Sequence, residues 1–195
     1  MVIGLTGGIG AGKSAVSDML RDLGAGIVCA DEVVRNIYKK GEIGYNAVVW
    51  EFGEGILTEN GEIDRKKLGE LVFSNENELK RLNACLNQPI TVAVLAELDN
   101  AAKETDMVIL DAPLLIEYGL EDYVDEVWLV TCPADTRIER IIERDGLTKK
   151  QAQERINSQI SEEDKKIHAD HIIDNSGSII KLRETVIRLY KAITA

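Results

Sequence analysis

The sequence predicts an α/β fold: a five-stranded parallel sheet flanked by helices, with a helical insertion and a helical lid. Three observations predict it. Five short apolar runs, at residues 1–6, 25–30, 107–110, 127–132 and 172–173, are separated by segments with apolar residues at helical spacing. Such runs are nearly continuous rather than alternating, as in strands covered on both faces. Between the first run and the first helix stands Gly7-Gly8-Ile9-Gly10-Ala11-Gly12-Lys13-Ser14, which fits G-x-x-x-x-G-K-[ST]. Residues 31–104 are mostly helical and interrupt the strand–helix rhythm, whereas 144–168 are polar with few positions fit for a core.

In chain order, 1–6 is a buried strand and 15–23 a helix stopped by Gly24. The second strand ends at Asp31. Val33, Val34, Ile37 and Tyr38 then share a helical face, broken at Lys39-Lys40-Gly41. Residues 43–53 form a further helix, and Asn60-Gly61 signals a turn. Asp64 caps a helix bearing Leu68, Leu71, Val72 and Phe73. Residues 75–86 read as one helix and 90–103 as another, begun by Pro89. The third strand ends at Asp111 and the fourth at Cys132-Pro133. Helices are expected at 134–145, from Thr148 to about Gln159, from Ser161, and from Ser178 to the end, with a short strand closed by Asn175 between the last two. The domain expectation is one unit of 1–195: a core of 1–30, 105–143 and 169–195, an insertion at 31–104 and a lid at 144–168.

Composition narrows the function classes. The chain has 195 residues, 45% of them hydrophobic, and a net charge of −11. So acidic a chain is a poor general binder of nucleic acid or anionic membrane, and positive charge for a phosphate must be local. No run is long enough to span a membrane, and the N-terminus enters the first strand without room for a signal peptide. Cys29, Cys85 and Cys132 have no metal or disulfide spacing, which points to a reducing cytoplasm.

The glycine loop carries the chemistry. Gly8, Gly10, Ala11, Gly12, Lys13, Ser14 and Ala15 are the expected nucleotide-binding residues, with backbone N–H groups making an anion nest at a helix N-terminus. Lys13 reaches β- and γ-phosphates, and Ser14 can hold a magnesium ion. In a parallel sheet, ligands bind beyond the carboxyl ends of the strands, so the other strand ends become candidates. Asp31 reads either as a helix N-cap or as the carboxylate that takes a proton from an attacking hydroxyl. Arg35, one turn on, either pairs with Asp31 or holds an anionic part of an acceptor. Asp111 matches the acidic residue that helps hold magnesium in such enzymes. Arg137, Arg140 and Arg144 fall on one helical side. They form either a solvated face neutralised by Glu139 and Glu143 or a grip on polyphosphate, and guanidinium groups bind phosphate bidentately. His168 and His171 lack further ligands nearby for a zinc pair. These residues admit a small-molecule kinase, a nucleoside-monophosphate kinase or a nucleotide-binding switch. No guanine-reading Asn-Lys-x-Asp segment is present.

Taken together, the chain resembles the dephospho-CoA kinase family over nearly its whole length. The matching segments are 3–14, Ala30-Asp31 with Arg35, Phe52-Gly53 with Asn60-Gly61 and Asp64-Arg65, and Leu71-Val72-Phe73-Ser74. Pro113-Leu114-Leu115 with Glu117 and Gly119-Leu120, then Arg144-Asp145-Gly146-Leu147, Gln159, Ala169-Asp170 and residues 174–178 continue the match in order. The resemblance implies a P-loop kinase with an acceptor-binding helical insertion. It implies transfer of phosphate from ATP, with Mg²⁺, to the ribose 3′-hydroxyl of dephospho-CoA, the last step of coenzyme A synthesis. Asp31 would be the base, with Lys13, Arg140 and Arg144 also catalytic. Asp31, Arg35, Leu114 and Glu117 would bind the acceptor, and Ser14 and Asp111 the metal. The chain departs from the family pattern at Cys29, where Asp is usual, at Ala15, where Thr is common, and at Asn87-Gln88, where the family often has His before Pro.

Overall fold

The structure is a computed structural model describing residues 1–194. Ala195, included in the expected core segment, and the side chain of Phe73, expected on a helical face, lie outside the described residues. The chain forms two compact units, one of Met1–Val28 with the chain from Asn100 onward, the other Cys29–Asp99.

The first unit is built on a five-stranded sheet of β1 (Val2–Gly7), β2 (Gly26–Cys29), β3 (Val108–Asp111), β4 (Glu126–Thr131) and β5 (His171–Asp174), in the order β2-β3-β1-β4-β5. β1 is central. It pairs in parallel with β3, placing Leu5 beside Asp111, and with β4, placing Gly7 beside Val130. β5 joins β4 in parallel, with Thr131 beside Asp174. Strand order and register therefore bring the carboxyl ends carrying Gly7, Asp111, Thr131 and Asp174 to one edge.

Helix α1 (Lys13–Asp22) and the last helix, α9 (Ile179–Thr194), pack together over this sheet. Ile3, Leu5, Val16, Leu20, Ile109, Trp128, Val130, Ile173 and Val186 are fully buried in one core cluster. Removing so much apolar surface from water is the main force holding this layer. Trp128 also satisfies its indole N–H on Glu126 at 2.9 Å. A second, smaller cluster joins α6 (Ala134–Asp145) to α7 (Lys149–Asn157) through Ile138, Ile141 and Ala152, backed by Ile9, Leu147 and Ile156. The polar lid segment thus has apolar anchors of its own. α7 starts on a capping box of Thr148 and Gln151, and α8 (Glu162–Ile167) on the Ser161 side chain, as the sequence suggests.

The second unit contains α2 (Ala30–Ile37), α3 (Ile43–Phe52), α4 (Arg65–Phe73) and most of α5 (Glu76–Ala101). Asp64 caps α4 by accepting from the N–H groups of Lys66 and Lys67, both at 3.1 Å. Two sequence expectations change here. The separate helices at 75–86 and 90–103 are one helix running through Pro89. Proline removes one backbone donor and crowds the preceding turn, at a cost of about 3 kcal/mol. The helix continues because Leu86, Pro89, Ile90, Val94 and Leu98 are all buried along it. Asp31 is also not the N-cap of α2: Cys29 occupies that position, and Asp31 lies in the first turn.

Candidate active site

The phosphate loop joins β1 to α1, and Gly12 is the N-cap of α1, with φ +91°. That left-handed conformation suits glycine, and no side chain caps the helix start. The N–H groups of Lys13 and Ser14 therefore stay available to a ligand, at the positive end of the helix dipole, while that of Ala15 donates to the Gly12 carbonyl. The carbonyl oxygens of the loop are held from outside. Arg137 Nε donates to the Ile9 carbonyl at 2.9 Å. Arg140 Nη1 reaches the Gly10 and Ala11 carbonyls at 3.3 Å each. Asn175 Nδ2 donates to the Ala11 carbonyl at 2.8 Å. In a trans peptide the C=O and the following N–H point in opposite directions, and no peptide bond here is cis. Holding the carbonyls of Ile9 and Ala11 on these donors therefore aims the N–H groups of Gly10 and Gly12 the other way. That is how the loop becomes a nest for an anion.

The fit leaves no room for side chains at the loop glycines. A Cβ on Gly8 would run into the Arg137 guanidinium, one on Gly10 would meet the Arg137 carbonyl oxygen at 2.8 Å, and one on Gly12 would run into the Asn175 side-chain amide. Arg137 is only 7% exposed. Burial lowers its pKa, and Glu162, whose carboxylate is 3.7 Å away, opposes that shift. Arg140 completes the wall by donating to the Asn175 carbonyl at 3.3 Å.

Lys13 forms an ion pair with Asp111, so the lysine of the loop and the acid at the end of β3 face one another across the first unit. Ser14, next in α1, is exposed, and Ala15 is half-buried. A serine hydroxyl and an aspartate carboxylate are hard oxygen donors of the kind magnesium prefers.

The lid segment is tied to the loop, to α6 and to the turn after β3 by one residue each. Gln159 Oε1 accepts from the Ile9 N–H at 2.8 Å. Glu162 faces Arg137. Lys165, 1% exposed, lies 2.9 Å from Glu117 Oε1 and donates to the Pro113 carbonyl at 2.9 Å. Glu117 is thereby a counter-ion to a buried ammonium, and Leu114 is half-buried in the same turn. Arg144 is mostly exposed and held by Asp145 at 2.7 Å, with Arg155 on the same carboxylate at 2.6 Å. This contact raises the Arg144 pKa and lowers that of Asp145. His168 and His171 each sit beside a single carboxylate, Glu121 at 3.6 Å and Glu126 at 3.5 Å. Among the described residues no group of three or more His, Cys, Asp or Glu side chains could hold a metal.

In the second unit, Asp31 and Arg35 line a cavity of about 280 Å³. They share it with Tyr38, Arg65 and an apolar wall of Val34, Leu68, Val72 and Leu82. Both are exposed, and neither side chain has a hydrogen bond or ion pair with another described residue, so the i,i+4 pair that would neutralise them is not made. A smaller cavity of about 220 Å³ adjoins through Tyr38 and Arg65 and is lined also by Lys39, Lys40, Glu62 and Ile63.

The structure therefore places Gly8 through Ser14, Asp111 and Arg140 around one loop, and Asp31 with Arg35 in one cavity. Sequence reasoning grouped Arg137 with Arg140 and Arg144 but did not single it out, and it did not single out Gln159, Asn175 or Lys165 by chemistry. The i,i+3 spacing of Arg137 and Arg140 was the available signal. For Lys165, in the charged stretch 162–166, there was none.

A dephospho-CoA kinase family model matches residues 1–181. The dephospho-CoA kinase of Geobacillus kaustophilus is 43% identical over 192 residues, covering 98% of this chain and 96% of that protein. Among solved structures, a protein from Thermus thermophilus is 30% identical with TM-score 0.84, covering 100% of this chain and 98% of that one. The dephospho-CoA kinase of Campylobacter jejuni is 29% identical with TM-score 0.74, covering 98% and 96%.

Proposed function

Because this chain belongs to the dephospho-CoA kinase family, an enzyme family of P-loop fold that phosphorylates dephospho-CoA at the expense of ATP in coenzyme A synthesis, we propose how its own residues divide the reaction. The observation that carries the proposal is the unpartnered, exposed carboxylate of Asp31 in a cavity that also holds Arg35. A carboxylate without a cationic partner keeps its lone pairs for a substrate proton.

Asp31 accepts the proton of the ribose 3′-hydroxyl as that oxygen bonds to the γ-phosphorus of ATP. The bond from the γ-phosphorus to the β,γ-bridging oxygen breaks, and ADP leaves. Gly8, Gly10, Ala11, Gly12, Lys13, Ser14 and Ala15 bind the phosphates, largely through backbone N–H groups of the loop and the start of α1. Lys13 exchanges its Asp111 partner for phosphate oxygens. Arg140, already against the loop, stabilises charge on the transferring group. Arg144 is proposed for the same charge, which requires it to exchange the Asp145 carboxylate for phosphate. Ser14 and Asp111 would hold magnesium, which would neutralise charge on the β- and γ-phosphates when bound. On the acceptor side, Arg35 takes an anionic group, Leu114 gives apolar contact, and Glu117 bears on the acceptor from its place on Lys165.

No helix among the described residues is long and apolar enough to cross a membrane. The three free cysteines fit a reducing cytoplasm, where we place the protein. The test is ADP release with dephospho-CoA against adenosine, nucleoside monophosphates and pantothenate. Turnover with dephospho-CoA in preference to the others is expected. Turnover with a nucleoside monophosphate and none with dephospho-CoA would overturn the acceptor assignment.

A further inference from the structure

We propose that Arg65 is a specificity-determining residue of the acceptor cavity, binding the diphosphate of dephospho-CoA together with Arg35. The inference rests on the acceptor reading above. Its observations lie within the Cys29–Asp99 unit.

The guanidinium of Arg65 lies 5.7 Å from the centre of the Tyr38 ring. Stacking on a ring fixes the planar fork without using its N–H donors. No described residue accepts a hydrogen bond from Arg65 or forms an ion pair with it. The side chain is exposed, oriented by the ring and without a protein hydrogen-bond partner among the described residues, in a wall shared by both cavities of the unit. The larger cavity carries two guanidinium groups against one carboxylate, in a protein whose net charge is −11. The smaller adds Lys39 and Lys40 against Glu62. A local excess of positive charge on so acidic a chain marks where an anion would be held.

The order of groups along α2 matches the acceptor. Asp31 and Arg35 are four residues apart, so their Cα atoms are separated by about 6 Å along the axis. In dephospho-CoA the diphosphate is separated from the reacting 3′-hydroxyl by the width of the ribose. With the hydroxyl at Asp31, the diphosphate falls between Arg35 and the stacked Arg65. The apolar wall of the cavity is then left for the uncharged part of the acceptor. Adenosine, which lacks the diphosphate, would forgo both arginines.

The experiment compares Arg65→Gln and Arg65→Lys with the unmodified protein. KM for dephospho-CoA and for ATP, kcat, and calorimetric binding of dephospho-CoA are measured, with circular dichroism to verify folding. Losing hydrogen bonds to a charged group should raise the dephospho-CoA KM and Kd of Arg65→Gln roughly 10- to 100-fold. KM for ATP and kcat should stay within about twofold, because the lost contact is made equally in ground and transition states. Arg65→Lys should fall between, keeping charge but losing the fork. Unchanged dephospho-CoA binding in a folded Arg65→Gln overturns the proposal. A parallel loss for ATP does so too, since it indicates a general structural role. Failure of the unmodified protein to release ADP with dephospho-CoA sinks the acceptor reading instead. Calorimetry with dephospho-CoA then still decides whether Arg65 binds it.

Discussion

Lys165 and Glu117, forty-eight residues apart, form an ion pair in which the ammonium is 1% exposed and 2.9 Å from the carboxylate. The same ammonium donates to the Pro113 carbonyl, so α8 is fastened to the turn that follows β3. Removing one member of a buried pair strands the other without its counter-ion. Lys165→Met should therefore destabilise the protein by about 3 kcal/mol, whereas the double variant with Glu117→Gln should recover part of that loss. Denaturant unfolding of the four proteins of the cycle measures this. Additive losses would show that the two side chains do not act as a pair.

Asp31 makes no bond within the protein that its loss would break. Asp31→Asn should keep the melting temperature and the ATP affinity and lower kcat by roughly 10²- to 10⁴-fold, the usual worth of a positioned base. Single-turnover kinetics with saturating dephospho-CoA give the number. A kcat near that of the unmodified protein would remove Asp31 from the base role.

Asn175 closes the loop from the end of β5. Its buried amide holds the Ala11 carbonyl, and its side chain abuts Gly12. Asn175→Ala should cost about 1–3 kcal/mol, since the carbonyl is left without this donor. The effect should appear in ATP binding more than in acceptor binding, because the Ala11 carbonyl sets the direction of the Gly12 N–H. Calorimetry with each substrate separates the two, and an equal loss for both would contradict this placement.

The Asp145 carboxyl should titrate below the usual carboxylate range, chiefly through its hydrogen bond from Arg144. A pKa depressed in the folded state contributes stability that is present above the unfolded value, about 3.9. The contribution is lost as pH falls through the folded value. The melting-temperature difference between the unmodified protein and Asp145→Asn should therefore be constant near neutrality and shrink in acid. A difference that instead grows as pH falls would reverse the sign of the interaction. Carboxyl NMR of Asp145 gives the folded value directly.

The sequence by itself determined what is local or periodic. The glycine pattern of 7–14 located the phosphate loop because only glycine tolerates the φ of Gly12 and the close approach of Arg137 at Gly8. Apolar runs located the strands, and Asp64, Thr148 and Ser161 announced their helices because capping is a bond between near neighbours. Pro89 misled because its local penalty was outweighed by burial along α5, which is a tertiary quantity. Only the tertiary structure decided which charges are partnered. Arg137, Arg140 and Arg144 share one helical side, yet the first two wall the loop while the third faces Asp145. Lys165 carries no mark in the sequence that sets it apart from its charged neighbours, and only folding brings Glu117 to it from across the chain. The strength of a charge depends on what surrounds it, and those surroundings come from residues far apart in sequence.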